Sequence, residues 1–196
     1  MVGVIAILGL DVSDSGVHNA ATVEKICRAE TQALRAGDRA IDIAYADTTE
    51  PTYSSEVETV TQMFPRCQSY AKQQRPATVG KGQGTSPMLL LDRIQTQVQI
   101  QRQAGHQQPI AAVVWLQAAE PGPGLPPLDF AALGQRIKQI TDDRGRVAII
   151  GPTGKLRENL DKLSAQNPSL RVCNVADYQS CIRSTFKDAR TLPSGK

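Results

Sequence analysis

The chain has 196 residues, 40% of them hydrophobic and 21% charged, with a formal net charge of +3. That size suits one domain with a proper core, and the composition is that of a soluble globular protein. A charge of +3 with 4% aromatics argues against a nucleic-acid surface or a single-strand stacking platform, and no apolar run approaches the roughly 18 residues of a membrane span.

Val2 to Leu10 is short, rich in Ile, Val and Leu, and bounded by Gly, which predicts a buried strand. It lacks a basic n-region and runs straight into polar residues, so it does not read as a signal peptide; a cytoplasmic location is expected, the alternative being the soluble domain of a longer anchored protein. Ala20 to Ala36 carries Val23, Ile26, Cys27, Ala33 and Leu34 at helical spacing, and Gly37 supplies the stop. Arg39 to Ala46 alternates and is β-branched, a second strand, followed by a loop over Asp47 to Tyr53. Ser54 to Lys72 places Val57, Val60, Met63 and Phe64 at a weaker amphipathic spacing, read as a helix that Pro65 interrupts. Arg66, Lys72, Arg75 and Lys81 form an acid-free run, the usual composition of a solvated face.

Val79 to Pro87 is a glycine-rich loop. Met88 to Ala104 fits a helix through Leu90, Leu91, Ile94 and Val98, or a strand through Ile94, Thr96, Val98 and Ile100; length and Pro87 at a first turn favour the helix. Pro109 to Gln117 is the most continuous buried-strand signal and is expected at the centre, with Trp115 in the core. A Pro/Gly-rich loop, Ala118 to Pro127, leads to a helix over Leu128 to Ile140, a strand at Val147 to Ile150 and a helix at Lys155 to Ala165. A strand at Leu170 to Val175 and a helix at Tyr178 to Lys187 follow. The expected organisation is one domain over residues 1–190 with a tail at 191–196.

Strands alternating with helices predict an α/β fold: a doubly wound, mostly parallel sheet with helices on both faces. Right-handed crossovers then gather the strand-to-helix loops along one edge, where loops distant in sequence meet. Two such loops carry oxygen donors. Asp11, Ser13 and Ser15 follow the first strand at alternate positions, and Thr85 opens the helix expected over Met88 to Ala104. One carboxylate and three hydroxyls are hard donors, suited to Mg²⁺ or Mn²⁺ and not to zinc or copper.

Asp11-x-Ser13-x-Ser15, the Gly-Thr85-Ser before a long helix, and the succession of elements over nearly the whole chain resemble the von Willebrand factor A domain family and its metal-ion-dependent adhesion site. The resemblance implies that the Ser13, Ser15 and Thr85 hydroxyls bind the cation directly, while Asp11 binds it or holds a coordinated water. It further implies that an acidic residue of a protein partner completes the shell, with no catalytic step. The chain departs from the family after its central strand. The usual Asp is replaced within Gln117-Ala118; either Glu120 reaches in, with Asp14 the other carboxylate on hand, or the site has one carboxylate fewer and binds its cation more weakly.

Other readings fit less well. Gly151-Pro-Thr-Gly-Lys155 lacks the first Gly and the final Ser or Thr of a phosphate loop, because Ile149 and Leu156 stand there. Gly80, Gly82 and Gly84 do not follow dinucleotide spacing. His18 near the serines has no nucleophile elbow and no orienting acid beside it, and a phosphotransfer role for Asp11 needs a second Asp where Ser13 stands. The alternatives to a binding module are a small enzyme on a phosphorylated or nucleotide ligand, using the Asp11 cation with Lys81 or Lys155, and a structural domain with a degenerate site. Cys27, Cys67, Cys173 and Cys181 have no C-x-x-C pair or nearby histidines, which argues against zinc. Their even count permits disulfides, with Cys173 and Cys181 the one pair close in sequence; without a secretory signal all four are expected reduced.

Overall fold

The structure, a computed structural model, describes residues 3–11, 13, 20–46, 53–57, 67, 84–119 and 126–193. Among the described residues six strands form one sheet: β1 (Ile5–Asp11), β2 (Arg39–Tyr45), β3 (Tyr53–Glu56), β4 (Ile110–Trp115), β5 (Gly145–Ile150) and β6 (Leu170–Cys173). Their order is β3-β2-β1-β4-β5-β6, with β1 and the expected central strand β4 in the middle. β2, β1, β4, β5 and β6 are parallel, and only β3 runs against its neighbour.

Strand periodicity divides the core in two. Val4, Ala6, Leu8 and Leu10 face α1 (Ala20–Ala33) and α5 (Tyr178–Arg190), while Ile5 and Ile7 face α2 (Pro87–Gln103), α3 (Phe130–Asp142) and α4 (Gly154–Gln166). Both faces are therefore covered, as the continuous apolar runs of β1 and β4 require. Met88 to Ala104, ambiguous by pattern, is helical: Pro87 takes the first turn and the Ser86 hydroxyl accepts from the Leu89 amide. Gly151-Pro-Thr-Gly-Lys155 is the β5-to-α4 turn. Gly151 has φ +91°, and a Cβ there would stand 2.3 Å from the Trp115 ring.

Two expectations fail. The helix over Ser54 to Lys72 is replaced at its start by β3, which pairs Tyr53–Glu56 antiparallel with Arg39–Asp42. Four residues carry no usable period of their own, and the open edge of β2 supplies hydrogen bonds that outweigh local helical spacing. Apart from Cys67, residues 58–72 of that expected helix lie outside the described residues. The cysteines are not reduced: Cys27 pairs with Cys67 across 40 residues and Cys173 with Cys181 across 8. Their Cα separations, 5.4 and 6.4 Å, lie in the bridging range. For Cys27 and Cys67 this proximity comes from packing, to which sequence spacing is blind.

Candidate metal centre

The site begins with parity on β1. Gly9 and Asp11 share the face of Ile5 and Ile7, so Asp11 projects toward the α2 side at the carboxyl end of the strand. Gly9 lets α2 come close, since a Cβ there would lie 2.9 Å from a Leu90 methyl. The Ser86 amide donates to the Ala46 carbonyl at 2.8 Å, fastening the start of α2 to the end of β2. Thr85 is thereby set beside Asp11, 74 residues away in sequence.

The contacts are direct. The Thr85 hydroxyl donates to Ser13 Oγ at 2.9 Å and reaches Asp11 Oδ2 at 3.3 Å. The Ser13 amide donates to Asp11 Oδ1 at 2.9 Å, a turn closed by the aspartate side chain. All three residues are buried, Asp11 to 1% exposure. Burial pushes the Asp11 carboxyl above its ordinary value of 3.8, against the Ser13 and Thr85 hydrogen bonds, which pull it down. Tyr45, the register partner of Asp11, donates its buried hydroxyl to the Trp115 carbonyl at 2.8 Å. Its pKa is raised well above 10.0, first by burial and then by the Asp11 charge. By sequence Tyr45 is only a strand residue, because the register that sets it beside Asp11 is not legible in a single strand.

These donors fit a small hard cation. Adjacent oxygens around an octahedral Mg²⁺ lie about 2.9 Å apart, the spacing of the Thr85 and Ser13 hydroxyls. Among the described residues Asp11 is in no ion pair and meets only hydroxyl and amide dipoles. Also among the described residues, no group of three or more His, Cys, Asp or Glu that could hold a metal ion gathers anywhere. Ser15, Asp14 and Glu120 lie outside the described residues, as do His18 and Lys81. Ala118 is half-buried and has no donor side chain.

No protein-family model matches the sequence, and no curated protein does either. Solved structures do. Proximal thread matrix protein 1 from the mussel byssus superimposes with a TM-score of 0.67 at 12% identity, over 96% of this chain and 47% of that one. The von Willebrand factor type A structure from Catenulispora acidiphila matches with a TM-score of 0.58 at 12% identity, over 96% of this chain and 43% of its own. The chain has a von Willebrand factor A-like fold. The pilus adhesin SpaC from Lactobacillus rhamnosus GG, in its open conformation, shares it with a TM-score of 0.64 at 13% identity, over 96% of this chain and 30% of the adhesin. The chain thus spans about half or less of the length of these three proteins. Among the described residues, no helix of this A-like domain is long and apolar enough to cross a membrane.

Proposed function

We propose that this von Willebrand factor A-like domain is a non-catalytic protein-binding module, gripping its partner through a Mg²⁺ or Mn²⁺ site at the carboxyl edge of the sheet. Asp11, Ser13 and Thr85 would hold the cation, with Ser15 and Glu120 as the further donors that the sequence offers. The observation that carries this reading is the mutual contact of three hard oxygen donors drawn from two loops, at 2.9 and 3.3 Å around Thr85. The bound cation would supply a Lewis-acidic position for a partner's carboxylate. The chain's own part is to keep the donors fixed and dry: Gly9 and Leu90 hold α2 close, Ser86 and Ala46 fix the loop, and burial strengthens any charge interaction at Asp11. Adhesins and a byssus protein among the structural neighbours are consistent with such a module. The two disulfides favour an oxidising compartment over the cytoplasm, the location expected from the lack of a signal-peptide pattern.

Mn²⁺ calorimetry on the wild type and on Asp11→Ala tests the site, and water-proton relaxation of the Mn²⁺-loaded protein tests its open positions. Binding lost in the variant, with relaxation falling when acetate is added, is the expected result. Undiminished Mn²⁺ binding in Asp11→Ala would remove the proposal.

A further inference from the structure

The two disulfides sit in different surroundings. Cys27 and Cys67 are 2% and 0% exposed, and the Thr31 hydroxyl lies 3.4 Å from Cys67 Sγ. Cys181 is 4% exposed, but Cys173, the last residue of β6, is only half-buried. Of the residues between Cys173 and Cys181, all but Tyr178 are exposed. A thiol in solution therefore meets the second bridge at Cys173 and finds the first one sealed.

The fold also depends on the two bridges unequally. A cross-link restricts the unfolded chain more the longer the loop it closes, and these loops span 40 and 8 residues. Both anchors of the short bridge are held without it. The Gly151 amide donates to the Cys173 carbonyl at 3.0 Å, and Arg157 Nη1 donates to Asn174 Oδ1 at 2.9 Å. On α5, Ile182, Phe186 and Ala189 are buried, and Arg190 is paired with Asp38. Cys181 itself stands in the first turn of α5, where the cap residue Asp177 gives the leading amides no side-chain acceptor. The positive end of the helix dipole eases the departure of a thiolate there. Burial of Cys181 works the other way, so a thiolate once released is driven to attack again and reclose the bridge.

We infer that Cys173–Cys181 is a thiol-exchange site, at which a small thiol of the glutathione class modifies the chain on Cys173 while Cys27–Cys67 stays closed. The small thiolate attacks Cys173 Sγ and forms a mixed disulfide; the Sγ–Sγ bond breaks and its electron pair leaves on Cys181. Cys181 then either attacks Cys173 and expels the small thiolate, or takes a proton from water. In the second case another small thiolate attacks the mixed disulfide, so that Cys173 leaves as a thiolate and two small thiols are oxidised to their disulfide. The site is independent of the Asp11 cation.

The test is incubation of the folded chain with reduced glutathione at mildly alkaline pH, followed by acid quenching, alkylation in denaturant and mass-spectrometric mapping. Glutathione or label on Cys173, with label on Cys181, is expected at least about tenfold faster than label on Cys27 or Cys67. Near-ultraviolet circular dichroism should keep its folded signature meanwhile. In Cys181→Ser, oxidised glutathione should leave a lasting adduct on Cys173, whereas the wild type sheds its adduct once glutathione is removed. Equal opening of both bridges, earlier opening of Cys27–Cys67, or glutathione on Cys181 instead of Cys173 would overturn the inference. A short bridge that opens only after unfolding would overturn it too, and so would the same selectivity in denaturant, since the fold would then not be its source.

Discussion

Asp38 and Asp11 are both buried carboxylates flanking the same sheet, Asp38 at the amino ends of the parallel strands and Asp11 at the carboxyl ends. Asp38 is met on every side. It accepts from the Val4 and Arg35 amides at 2.8 Å each and from Arg190 Nη2 at 2.6 Å. Arg190 is fixed in turn by the Ala33 carbonyl at 2.9 Å and lies over the Phe186 ring at 5.3 Å. Asp11 has hydroxyls and one amide, and no cation among the described residues. A buried carboxylate matched by a guanidinium serves as structure, joining α1, α5 and β2. A buried carboxylate left to neutral dipoles raises its own energy, and that makes it receptive to a metal ion.

Substitution should separate the two ends sharply. The largest effect is expected for Asp38→Ala, which strands Arg190 in the interior: a loss of about 3–5 kcal/mol in urea unfolding. A loss below about 1 kcal/mol would mean the pair is incidental. Next comes the cation. Mg²⁺ or Mn²⁺ at a hundred times its dissociation constant should stabilise the wild type by about 2.7 kcal/mol, read as a rise in melting temperature. Thr85→Ala should weaken that binding by about tenfold or more, and Thr85→Ser should restore most of it, measured by calorimetry.

The smallest effect has the opposite sign from the first. Asp11→Asn, without metal at neutral pH, should stabilise the fold by on the order of 1 kcal/mol, because the amide keeps the shape and sheds the buried charge. The folded Asp11 pKa lies above 3.8, so protonated Asp11 contributes stability that is fully present below that value. This contribution is lost as pH rises through the folded pKa. The advantage of Asp11→Asn over the metal-free wild type should therefore be absent in acid and grow toward neutrality. Cation affinity should follow the same ionisation, failing as the carboxyl takes up its proton.

Much of this contrast was legible in the chain. The apolar runs of β1 and β4, the helical spacing of α1, and Pro87 ahead of α2 all signal their elements through local pattern. The meeting of Thr85 with Asp11 and Ser13 follows from parity and right-handed crossover, both readable from element order. The Asp38–Arg190 pair was not foreseen. Its members are 152 residues apart, and nothing local marks either one: Asp38 falls between the Gly37 stop and the second strand, and Arg190 lies past the expected end of the last helix at Lys187. The Cys27–Cys67 bridge and β3 were missed for the same reason, since each depends on an element arriving from elsewhere. Ser15 and Glu120, read as further donors, lie outside the described residues.

A melting-temperature titration with Mn²⁺, run side by side on the wild type and Asp11→Asn in chelator-treated buffer, tests the role of Asp11 most directly. The wild type should start lower and climb with metal, whereas the variant starts higher and stays flat. A wild type indifferent to Mn²⁺, or two curves climbing together, would contradict the assignment of Asp11 as the carboxylate of a cation site.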